Sequence, residues 1–146
     1  MSEIVKGVYV DCKATNVDEA LDFLADKAVE CGISSDKDAI LNAYKAREEM
    51  GSTGMMSGFA IPHAKTDAVS EPSCLVVKFA GDVAWKSQDG QPITCAISLL
   101  TPDADEHLLL LARLARHLLH ETFRNDIASY TDPEQIRTRV EGALEK

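Results

Sequence analysis

The chain has 146 residues, 45% of them apolar, and a formal net charge of −9 with a pI near 4.8. That size suits one domain with one core, spanning residues 1–146, and the acidity argues against a nucleic-acid partner, since phosphate backbones demand clustered Lys and Arg. The longest apolar stretch, near 108–119, is interrupted by Arg113, Arg116 and His117, so it falls short of the roughly 20 apolar residues that a membrane span needs.

The N-terminus, MSEIVKGVYVD, has no basic-then-apolar run and does not read as a signal peptide, which points to a cytoplasmic protein. Val8, Val10 and Cys12 alternate with Tyr9 and Asp11, a pattern for a short first strand. Asn16 is placed to cap a helix from Val17 to about Cys31, with Leu21, Leu24, Ala25 and Ala28 as its apolar stripe and Gly32 as its stop. Ser35 is expected to cap a second helix, Asp36 to about Met50, with Ile40, Leu41 and Tyr44 inward. Residues 51–58, GSTGMMSG, break the periodicity; their three glycines predict a loop with positive φ at a glycine.

Residues 59–61 are strand-like, and the runs 73–80 and 93–100 are the clearest strands, with Gly90 marking a turn between them. A helix is expected from about Asp105 to His120. The last helix opens with Asp132 as N-cap and Pro133 at the first helical position. Helices interleave with strands, so the fold class is α/β: a three-layer α/β/α sandwich around one mixed sheet. The four cysteines, Cys12, Cys31, Cys74 and Cys95, form no C-x-x-C pair and read as reduced, mostly buried small hydrophobes.

Candidate chemistry gathers on four residues. His63 follows Pro62 directly after the short strand, on a stiffened backbone at a strand end. A neutral imidazole nitrogen there is a nucleophile near neutral pH. His107 lies in the first turn of its helix, in line with Leu111, Leu114 and Leu118, while Arg113, Arg116, His117 and His120 share the wetter face. The helix dipole there disfavours imidazolium and favours bound anions. Arg47 ends the second helix, where it suits the dipole or a phosphate fork. Ser52, Thr53 and the loop N–H groups add donors. A nucleophilic histidine, a second neutral histidine, an arginine and a glycine-rich loop suit phosphoryl transfer. His117 and His120 lack a carboxylate or cysteine to complete a metal site, and no P-loop or dinucleotide fingerprint occurs.

The runs REEMGSTG (47–54), GFAIPHAKTDAV (58–69), DGQP (89–92) and EHLLLLARLARHL (106–118) resemble, in order, the enzyme IIA domains of the sugar phosphotransferase system, fructose/mannitol type, and the fructose branch most. The resemblance implies that His63 is the phosphorylated residue. It would receive its group on Nε2 from the phosphohistidine of the carrier HPr and pass it to a IIB domain that phosphorylates an incoming sugar. It implies that His107 hydrogen-bonds the site and the phosphoryl oxygens, that Arg47 is the active-site arginine, and that Thr53 belongs to the phosphate loop. It implies no metal or organic cofactor. The sequence carries no permease or IIB segment, so the chain is expected to be either a separate subunit or an excised piece of a longer protein. A nitrogen-regulatory branch, in which phosphorylation controls partner proteins, is the alternative. Met56 stands where family members often carry glycine, which bears on partner docking; the loop face around Met55 and Met56 is the expected docking surface.

Overall fold

A computed structural model describes residues 3–145. Five strands form one mixed sheet: β1 (Val5–Cys12), β2 (Phe59–Ala60), β3 (His63–Lys65), β4 (Ser73–Val83) and β5 (Ile93–Thr101). The order is β1-β4-β5-β2, with β3 also on β5; β4 and β5 are antiparallel, and the other pairings are parallel. Helices α1 (Val17–Glu30) and α2 (Lys37–Glu49) cover one face. Helices α3 (Ala104–Leu118), α4 (Glu121–Ser129) and α5 (Pro133–Glu145) cover the other. The expected three-layer sandwich is thus the observed one.

Each layer has its own apolar core. Leu21, Leu24, Ile40 and Tyr44 pack on the outer-facing side chains Leu75, Val77 and Leu100 of the sheet. Leu110, Leu114, Phe123, Ile127 and Val140 pack on Val76, Ile97 and Leu99, which point the other way. That division follows from the two-residue period of a strand. A sheet covered on both faces explains why β4 and β5 read as nearly continuous apolar runs.

Several local expectations need correction. The cap of α2 is Asp36, whose carboxylate accepts the Ala39 N–H at 3.1 Å; Ser34, not Ser35, supports it by accepting the Asp36 N–H. The alternation expected in β1 fails because Asp11 takes φ 70° at a register shift, which leaves Val10 42% exposed. The helix expected to reach His120 stops at Leu118, and a separate α4 follows. Its N-cap, His120, makes no side-chain capping bond, so the sequence carried no start signal there. Within α3 the buried residues are His107, Leu110, Leu114 and Leu118, and Leu111 is only half-buried. All four cysteines are free thiols; Cys12, Cys74 and Cys95 are buried.

The strand run that carries His63 is divided. Phe59 and Ala60 pair with Cys95 and Ala96; then Pro62, which has no N–H, interrupts the ladder, and His63–Lys65 resume it against Leu99–Thr101. His63 therefore opens a strand, where the sequence placed it at the end of one. No helix among the described residues is long and apolar enough to cross a membrane.

Candidate active site

His63 is half-buried, and its ring is held from both sides. Nδ1 lies 2.7 Å from the Ile61 carbonyl oxygen. A carbonyl can only accept, so Nδ1 carries the proton and Nε2 keeps its lone pair. Arg47 Nε–H donates to that Nε2 at 3.0 Å. Burial is the main cause that lowers the His63 pKa; the Arg47 charge adds to it, and the Ile61 carbonyl opposes it. The result is a neutral imidazole whose free nitrogen is fixed as Nε2, a nucleophile that needs no base to activate it.

His107 stands beside it, with ring centroids 5.3 Å apart and planes tilted by 47°. It sits near the start of α3, which Asp103 caps by accepting the Glu106 N–H at 2.9 Å. Its Nδ1 is 2.6 Å from the Thr101 hydroxyl. Its pKa is also lowered, by burial first, then by the neighbouring His63, with which it competes for a proton, and by the Arg47 and Lys65 charges. Lys65, exposed and two residues beyond His63 on the same strand face, is a cationic neighbour that the sequence reading passed over.

Arg47 lies in the last turn of α2 and also donates to the Gly51 carbonyl at 2.8 Å, which ties it to the glycine loop. Its neighbour Glu48 braces that loop. One carboxylate oxygen accepts the Thr53 N–H (2.8 Å) and the Trp85 indole N–H (3.0 Å); the other accepts the Thr53 hydroxyl (2.7 Å). The Thr53 carbonyl in turn accepts the Ile61 N–H at 3.0 Å, two residues before His63. The loop runs close under residue 86: a Cβ on Gly54 would lie 2.1 Å from the Lys86 carbonyl oxygen. Gly58 holds φ +84°, and Gly51 φ +150°, the positive values expected of this loop.

The structure thus brings His63, His107 and Arg47 together and gives Thr53 a different task. Thr53 is 4% exposed and its hydroxyl is taken by Glu48, so the expected contact with phosphate has no free group to make it. The N–H groups of Thr53, Gly54 and Met55 are occupied as well, by Glu48, Ser52 and the Phe59 carbonyl. The loop is a brace for the strand, more than a cradle for an anion. Glu48, Trp85 and Thr101 were not singled out from sequence. Only Glu48 had a visible signal, adjacency to Arg47. Among the described residues no group of three or more His, Cys, Asp or Glu side chains is placed to hold a metal ion.

Such an arrangement can accept a phosphoryl group on a ring nitrogen and stabilise its oxygens from two sides. Residues 5–142 match the family model for the phosphoenolpyruvate-dependent sugar phosphotransferase system, EIIA 2. The chain belongs to this enzyme IIA family. The "PTS system fructose-specific EIIA component" of Haloferax volcanii is 39% identical over 120 residues, 81% of this chain and 78% of that protein. Nitrogen Regulatory Protein IIA-Ntr from Neisseria meningitidis has a similar fold, with a TM-score of 0.86 at 23% identity over 94% of this chain and 96% of that one. Enzyme IIAMtl of Escherichia coli, solved in complex with phosphorylated enzyme IIBMtl, is similar with a TM-score of 0.77 at 18% identity, over 92% and 94% of the two chains. As a type-2 enzyme IIA component, the domain is a phosphotransferase that carries its phosphoryl group on a histidine.

Proposed function

We propose that His63 is that histidine, that it takes the phosphoryl group on Nε2 from the phosphohistidine of HPr, and that it hands the group to a IIB domain serving a fructose-type sugar. The whole chain, 1–146, acts as one domain of this relay in the cytoplasm. The observation that carries the reading is the fixed ring of His63. Its Nδ1–H is committed to the Ile61 carbonyl, and its Nε2 lone pair faces Arg47 beside His107.

In the transfer, the bond from phosphorus to the donor's ring nitrogen breaks as a bond to His63 Nε2 forms. The donor ring, protonated at its other nitrogen, leaves with the electron pair as a neutral imidazole, and His63 supplies a pair from Nε2 while keeping its Nδ1–H, so neither ring loses or gains a proton in the exchange. Arg47 now occupies the lone pair and must release it. Its guanidinium then has donors for the equatorial oxygens, where developing charge is stabilised. His107 offers a second donor. The 39% identity to a fructose-specific component supports the sugar-transport reading over the regulatory one.

The test is incubation with enzyme I, HPr and labelled phosphoenolpyruvate. Wild-type protein should gain an acid-labile, base-stable phosphate, and His63→Ala should gain none. Full labelling of His63→Ala would remove the assignment. Onward transfer to a IIB cysteine would establish transport; a labelled protein that discharges to no IIB domain would favour the regulatory role.

A further inference from the structure

Thr101 closes β5, opposite Lys65 in the parallel pairing with β3. It is 0% exposed, and its carbonyl accepts the Thr66 N–H at 2.8 Å, so its backbone is anchored in the sheet. Its hydroxyl oxygen lies 2.6 Å from Nδ1 of His107, which is itself 9% exposed, and it has no second hydrogen-bond partner among the described residues. One proton must lie between these two atoms, and two arrangements supply it. In one, the hydroxyl donates to Nδ1, and the ring proton sits on Nε2. In the other, Nδ1–H donates to the hydroxyl oxygen, and the hydroxyl proton is left in a fully buried place with no acceptor. An unsatisfied buried donor is costly, so the first arrangement prevails.

We propose that Thr101 is a positioning residue that holds His107 in the Nε2–H tautomer, so that the one ring nitrogen not engaged by Thr101 is a donor. The consequence concerns the phosphoryl group, and it rests on the reading that His63 carries that group. Phosphoryl oxygens only accept. With the proton on Nε2, His107 donates to them; with the opposite tautomer, it would present a lone pair and repel them. Before the phosphoryl group arrives, burial and the nearby charges of Arg47 and Lys65 oppose a second proton on this ring, so the tautomer decides which face His107 presents. The logic is that of an outer group that orients a reactive imidazole by occupying its far nitrogen.

The test begins with the unphosphorylated wild-type protein, labelled with ¹⁵N in its histidines. Long-range ¹H–¹⁵N correlation spectra near neutral pH should show His107 with bare Nδ1 and protonated Nε2. A protonated Nδ1 would overturn the proposal without any mutation. Thr101→Val keeps the shape and removes the hydroxyl. It should lose the single tautomer and slow phosphorylation about tenfold, as for loss of an outer-shell orienting bond. The KM for phospho-HPr should stay within about twofold, since the lost contact serves the transition state and not docking. Thr101→Ser restores the hydroxyl, and should restore both the tautomer and the rate. A Thr101→Val protein with the wild-type tautomer and rate would overturn the assignment, as would a Thr101→Ser protein without rescue. If Thr101→Val fails to fold, the wild-type spectrum and Thr101→Ser still decide. Absence of label on His63, with the expected tautomer present, would instead remove the reading of His63 and leave the Thr101–His107 arrangement standing.

Discussion

Arg47 has two tasks at the residue scale that a lysine could not combine. Its Nε–H meets His63 Nε2 while another donor of the same planar group holds the Gly51 carbonyl, so the loop itself aims the guanidinium. A lysine would keep the charge and lose the fork. Arg47→Lys should therefore slow phosphorylation of His63 by about a hundredfold, within the range for loss of one aimed donor at a developing charge. Removal of the charge has a separate signature in pH. Phosphorylation needs neutral His63, whose pKa is lowered chiefly by burial and further by Arg47. The acid limb of the wild-type rate profile should thus lie below the ordinary histidine value of about 6.5. In Arg47→Ala one of the causes is gone, and the limb should move upward toward that value. Single-turnover rates measured across pH would show it; a limb in the same place for both proteins would contradict the role given to the Arg47 charge.

At the scale of elements, the site depends on how the end of α2, the glycine loop and the interrupted edge strand are joined, and Glu48 is the joint. Its carboxylate collects three donors from two separate segments, and Thr53 relays the connection to Ile61. Glu48→Ala should strand those donors and lower the unfolding free energy by roughly 2–3 kcal/mol, measured by urea denaturation. The Trp85 emission should shift as its indole N–H loses its partner. Unchanged stability would mean that the loop braces itself without Glu48. Here the sequence was informative in a selective way. Asn16, Gly32 and Pro133 announced their helix ends because caps are local chemistry. His63 stood out because Pro62 stiffens the backbone before it beside a short strand, and His107 because it sat among leucines at a helix start. Helix α4 was missed because only Phe123 and Ile127 are buried in it, and no capping residue opens it. Glu48, Trp85 and Thr101 do their work across the fold. Trp85 meets Glu48 37 residues away in the chain, and no local pattern records such a meeting.

For the whole molecule, the site lies where the two helical layers meet at one end of the sheet. Arg47 arrives from the α1–α2 layer and His107 from the α3–α5 layer, so either core failing would separate the pair. This makes the histidines of the proposed site part of the molecule's acid stability. The pKa values of His63, His107 and His117 are all lowered in the fold, with burial the leading cause for each. The unfolded chain then binds more protons than the folded one between their folded values and about 6.5. Their neutral forms contribute fully above that value, and the contribution is lost as pH falls through the window. Glu19 and Asp89, whose pKa values are lowered by hydrogen bonds from Thr15 and from Ser57 and Gln91, act in a separate and more acidic window. Their contribution is present above the ordinary carboxylate values of 4.5 and 3.8 and is lost below them. Urea midpoints should therefore begin to fall on acidification below about pH 6.5, before the window of Glu19 and Asp89 is reached. His107→Gln, which cannot take up the proton in the unfolded chain, should show a shallower fall than wild type on acidification just below about pH 6.5. An identical slope in the two proteins would mean that His107 is as easily protonated folded as unfolded, and would remove the physical basis for treating it as a neutral donor beside His63.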